Sequence, residues 1–158
     1  MRPRCFQVAP FIVLVALGCG GDGIERAPIT GVVTVEGLPL PGALIQFLPQ
    51  PGTPGEGALG SSDPDGKFEV ISSRDSDYGI PPGEYKIRVS RLQDSNGTFV
   101  PADAPQADFP DAMESVPVPY STINSPLTAV ISSDGGEVKV EIPVALVDPN
   151  AKTKKKRR

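Results

Sequence analysis

The sequence predicts an all-β protein folded as a single β-sandwich. Three observations carry that expectation. Apolar and polar residues alternate with a period of two along most apolar stretches. Nineteen prolines and 17 glycines among 158 residues punctuate those stretches. Ahead of residue 92, no segment repeats its apolar residues at helical spacing. Such a chain makes short strands, and strands with one apolar face each need a second sheet to cover them. An apolar content of 39% without tryptophan suits a modest core.

The elements follow in order. Residues 29–36, ITGVVTVE, put Ile29, Gly31, Val33 and Val35 on one face and Thr30, Thr34 and Glu36 on the other, the signature of a half-buried strand. GLPLPG is a turn, and ALIQFLP aims Ala43, Ile45 and Phe47 inward. A strand at ALGSS leads into DPDG, whose turn chemistry predicts a hairpin. The return strand KFEVISS aims Phe68 and Val70 inward. After GIPPG, EYKIRVSR alternates Tyr85, Ile87 and Val89 against Glu84, Lys86 and Arg88.

Residues 92–124 break the pattern. They are rich in Pro, Asp, Ala and Ser, lack alternation, and are too long for an ordinary connection. We read them as a surface excursion, a long loop insertion pinned by Phe109 and Tyr120. Two strands follow, PLTAVISS and EVKVEIPVALV, separated by DGG. In the second, Val138, Val140, Ile142 and Val144 alternate with Lys139, Glu141 and Pro143, and the proline argues for an edge position or a break near the strand's end. That makes seven strands over residues 29–147.

GVVTVEGLPLPGALIQF, SDPDGKFEV and GIPPGEYKIRV together resemble the carboxypeptidase regulatory-like, or transthyretin-like, β-sandwich. The whole chain is similar to small bacterial lipoproteins built from a lipobox and one such domain. In those a PLTA-like strand follows a segment like VPVPYSTINSPLTAVI. The strong match covers residues 31–91 and a weaker one 116–142. The resemblance implies a seven-stranded Greek-key sandwich. Superfamily members are mostly accessory or adhesive modules, so it implies architecture more firmly than activity.

The chain start points to export. MRPR carries Arg2 and Arg4 and no acid, and residues 6–17 are apolar apart from Gln7 and Pro10. That run is shorter than the roughly 20 residues a spanning helix needs, so residues 1–18 read as a signal peptide. ALGC at its end resembles the lipobox of bacterial lipoproteins, which implies cleavage after Gly18 and acylation of Cys19. Where that family usually carries leucine stands Ala16, and Ala16 with Gly18 also satisfies the small-x-small rule of an ordinary secretory cut. The alternative is therefore a soluble secreted module. The only other cysteine, Cys5, falls in the removed segment, leaving Cys19 no disulfide partner. Residues 19–28 form a polar, glycine-containing tether.

Charge divides the mature chain. Between residues 19 and 151, nineteen acids stand against seven bases, whereas KTKKKRR at 152–158 carries six. An acidic body argues against nucleic acid as a partner. Residues 148–158 read as a disordered basic tail, able to meet an anionic surface or an acidic patch on an envelope protein.

The chain has no histidine. No Ser-His-Asp or Cys-His nucleophile can be built from it, nor a Cys/His metal cluster. Transthyretin-related hydrolases rely on histidines, so that activity ranks last, and we name no catalytic residue and no cofactor. Asp63 and Asp65 in SDPDG offer oxygens to calcium, but the further ligands and closing acid of a calcium loop are missing, which favours a turn. Asn96-Gly97-Thr98 matches a glycosylation acceptor and is likewise read as a turn. A sugar platform would need a row of aromatics, and the chain has three tyrosines and no tryptophan. The expectation is a non-catalytic lipoprotein, anchored in the cell membrane or outer membrane and facing the periplasm. Its role is structural or protein-binding, through one sandwich face or the 92–124 excursion. The soluble alternative binds carbohydrate or protein.

Overall fold

The computed structural model describes residues 23–73, 78–101 and 104–148. The signal peptide, Gly18, Cys19, the start of the tether and residues 149–158 of the basic tail lie outside the described residues. The protein is all-β, and the described residues contain no α-helix, only a 3₁₀ turn at Gln106–Asp108. The strands are β1 (Ile29–Val35), β2 (Leu38–Pro39), β3 (Leu44–Pro49), β4 (Ala58–Ser61), β5 (Lys67–Glu69) and β6 (Ile71–Ser72). They continue with β7 (Gly83–Ser90), β8 (Leu92–Gln93), β9 (Met113–Glu114), β10 (Thr128–Ile131) and β11 (Gly136–Ile142).

Two larger sheets hold most of them. In the first, β11 runs parallel to β1 along all of its length, from Ile29 opposite Gly136 to Val35 opposite Ile142. The other edge of β1 is shared by two antiparallel partners, β5 at Thr30–Val32 and β2 at Thr34–Val35. The second sheet has the order β10-β7-β3-β4-β6. A two-stranded ladder, β8 with β9, lies in the excursion.

The alternation read from the sequence sets which side chains go in. Ile29, Gly31, Val33 and Val35 are buried along β1, Ala43, Ile45 and Phe47 at β3, and Tyr85, Ile87 and Val89 along β7. Both sheets feed one hydrophobic core, where the Phe47 ring lies 6.3 Å from Phe68 of the first sheet and 6.1 Å, edge-on, from Tyr85. Gly31 permits that contact. A Cβ there would strike the Phe68 ring and the Val138 carbonyl.

Four details differ from the expectations. DPDG does not close a hairpin: the strand after it leaves β4 and pairs with β1 in the other sheet. Past Val70 the chain crosses back, and β6 joins β4. The predicted return strand is thus two strands in two sheets, and the unbroken alternation of Phe68 and Val70 hid the change of partner. The turn after β1 begins at Glu36, with φ 50° there and 79° at Gly37, the left-handed pair a two-residue hairpin turn requires, and it adds β2. Strand β11 stops at Ile142, so Val144 is 41% exposed rather than inward. Its partner β1 turns away at Glu36 into β2, which leaves Pro143 no strand to pair with on that side.

The excursion is better packed than a surface loop. Half-buried Phe109 and Tyr120 do anchor it, and Val100, Ser115, Val116 and Ser121 are buried as well. On one flank the crossing at Val70 and the Ala27–Ile80 bridge close the space between the sheets. On the opposite flank β10 and β11 are both edge strands, joined by a turn in which the Gly135 N–H donates to Ser132 C=O.

Candidate functional site

Asp63 and Asp65 lie in a loop that the chain builds twice. In Asp63-Pro64-Asp65-Gly66-Lys67, Asp63 Oδ1 accepts the N–H of Asp65 at 2.9 Å and of Lys67 at 2.8 Å. In Asp94-Ser95-Asn96-Gly97-Thr98, Asp94 Oδ1 accepts the N–H of Asn96 at 2.8 Å and of Thr98 at 2.9 Å. The backbone bonds match too. The first residue's N–H donates to the fifth's C=O, and the glycine's N–H to the first's C=O. Both glycines have positive φ, 75° and 86°. The aspartate is the loop's cap. These bonds, led by the one from Thr98, hold the Asp94 carboxyl below its usual range. Asp63 has its Oδ1 fully engaged in the turn, Asp65 is exposed, and the described residues contain no group of three or more metal-ligating side chains.

The second cluster fixes the excursion to the second sheet. Glu114, on β9, accepts the N–H groups of Arg91 and Val116 on Oε1, both at 2.9 Å, and the Ser90 hydroxyl on Oε2 at 2.6 Å. Arg91 donates from Nε to Pro41 C=O at 2.9 Å and lies 5.5 Å above the Phe99 ring. Ser115 donates its hydroxyl to Arg91 C=O at 2.7 Å. Burial pulls the Arg91 guanidinium below its usual value, while the charge of Glu114 acts in the opposite sense. Phe99 in turn sits where a side chain on Gly42 would be. The arrangement is a clasp: Glu114, Arg91 and Ser115 each hold the backbone of another segment, which is how a segment without alternation becomes ordered.

The third feature is a groove of about 660 Å³ on the closed flank. Its walls come from the outer side of β1 and β5, with Ile71 and Tyr78 opposite. The register sets the charges: Glu69 and Glu137 flank Thr30 on either side of β1, and Lys67 lies beside Val32. Asp63 completes the lining. Among the described residues, the side chains of Lys67, Glu69 and Glu137 have no ion-pair partner. Three carboxylates against one ammonium attract cations rather than anions. Tyr78, at 74% exposure, offers an aromatic face to whatever enters.

Sequence reasoning found the Asp63 loop and the inward strand residues but not the groove or the clasp. Both draw on segments far apart in sequence, and neither leaves a local pattern. Comparison with known proteins identifies no relative: no family model, no curated protein and no solved structure matches this chain.

Proposed function

We propose that this protein is a lipid-anchored module of the bacterial cell envelope, a non-catalytic transthyretin-like sandwich that binds a protein partner. The observation that carries the reading is Cys19, which follows Ala16-Leu17-Gly18 at the end of the apolar run and has no disulfide partner in the mature chain. Two or more acyl chains there, at about 0.8 kcal/mol per buried CH₂, hold a protein stably at a bilayer where one chain does not. The first bridge of the domain, at Ala27, comes eight residues after Cys19, which leaves a short tether between bilayer and sheet.

The Greek-key assignment draws support from the strand order, in which β1, β5 and β11 form one layer and β10, β7, β3 and β4 the other. Under it, β2, β6, β8 and β9 are short additions. A binding role draws support from the groove, and protein is favoured over sugar because the groove holds one exposed aromatic, Tyr78, rather than a row. With no histidine in the chain, a hydrolase of the transthyretin-related kind has no base. Fractionation of cells expressing the wild-type chain and Cys19→Ser tests the anchor. The wild type is expected in the membrane fraction and the variant in the soluble periplasm; equal distribution of the two refutes the reading.

A further inference from the structure

The flank left open by β10 and β11 carries a self-complementary strand. Among the described residues β11 is paired on one side only, to β1. The Ile142 C=O accepts the Glu36 N–H at 2.9 Å, and the Gly136 N–H donates to Pro28 C=O at 3.2 Å. Even-numbered residues therefore turn their backbone groups toward β1. Strand alternation directs the N–H and C=O groups of Glu137, Lys139 and Glu141 to the open edge. The side chains of those three are exposed on the outer face, whereas Val140 and Ile142 are buried in the core.

Along this edge the sequence is Val138-Lys139-Val140-Glu141-Ile142. Turned end over end about Val140, it opposes lysine to glutamate and apolar residue to apolar residue at every position. We propose that the β11 edge is a homodimer interface, in which two copies pair antiparallel about a two-fold axis at Val140 and join their first sheets into one. In that register Lys139 faces Glu141 of the partner subunit on both sides of the axis. These are also the residues with free backbone groups, so each pair exchanges two N–H···O bonds, four in all. On the core side Val140 meets its own copy and Val138 meets the partner's Ile142.

The alternatives are poorer. Centred on Lys139, the pairing opposes lysine to lysine and Glu137 to Glu141. Centred on Val138, it also opposes Glu137 to Lys139, but it sets Gly136 against Val140 and runs into the turn whose Gly135 N–H is already bonded to Ser132. A charged edge strand ordinarily repels added strands. This one repels an apolar strand but accepts its own reverse. A second observation points to the same flank: Leu127, Ala129 and Val138, which pack on the core, remain only partly buried there. An isologous contact of this kind uses the same edge in both copies, closes on itself and does not grow into a fibre. The dimer does not depend on the state of Cys19.

Sedimentation velocity over a range of concentrations tests it, with the wild-type chain in detergent and with Cys19→Ser free of acyl groups. The wild-type sequence is expected to dimerise. Lys139→Glu and Glu141→Lys each turn two attractive pairs into two repulsive ones, and each is expected to raise the dimer Kd by roughly tenfold or more. The double swap, Lys139→Glu with Glu141→Lys, restores opposite charges and is expected to restore the dimer. Circular dichroism should stay unchanged in all three variants, since both side chains are exposed and bonded to nothing else. A chain that remains monomeric at every concentration overturns the proposal. So does a dimer indifferent to the single swaps, or one that the double swap fails to restore.

Discussion

Tyr85 is wholly buried where the two sheets meet, and its hydroxyl donates to Pro81 C=O at 2.8 Å. Burial raises its pKa from 10.0 to about 12, because the phenolate would lose its hydration. The fold therefore holds the phenolic proton more tightly than the unfolded chain does. The resulting stability is fully present below pH 10 and is lost as pH rises toward 12. Urea titrations at successive pH values should show stability falling across that window. Tyr85→Phe should cost about 1 kcal/mol at neutral pH through the lost hydrogen bond, and should flatten the alkaline decline. The inward direction of Tyr85 was legible from its place in EYKIRVSR. Its bond to Pro81 was not, since a period of two says which face a side chain takes and nothing about what it meets there.

At the scale of elements, the paired loops show how one local code is used under different constraints. Gly66 and Gly97 share a motif and a left-handed backbone, but their surroundings differ. A Cβ on Gly66 would come within 2.6 Å of the Val33 carbonyl, whereas one on Gly97 meets nothing within 4 Å. Gly97→Ala should therefore cost only the left-handed backbone penalty, about 1 kcal/mol. Gly66→Ala adds a collision with β1, and should cost roughly 2–3 kcal/mol or more. Thermal melts of the two variants, compared side by side, check the difference. The loops were legible as turns because their chemistry lies within five residues. The partner of β5 was not, because pairing depends on which edge lies open, and the open edge was that of β1, 35 to 39 residues earlier. The excursion escaped for a related reason: its order comes from Glu114, Ser115 and Arg91 gripping backbone, with no periodic face to announce it.

Across the whole molecule, the two flanks of the core have different fates. One is closed by the Val70 crossing and carries the acidic groove beside Tyr78; the other ends in the edges of β10 and β11. An anchor at Cys19 would place the domain close to the bilayer, tethered through the residues that enter β1 at Ile29. Partner binding and dimerisation would then occur at a surface that confines both copies. The class of fold was legible because alternation and turn residues act locally, and the site was not, because it is assembled by the register of β5, β1 and β11. Everything proposed about place rests on the chemistry of one sulfur. The most direct measurement is the intact mass of the mature protein extracted from membranes. The account predicts a chain beginning at Cys19 with the added mass of a diacylglyceryl group. A soluble chain with an unmodified Cys19 at its N-terminus would contradict it.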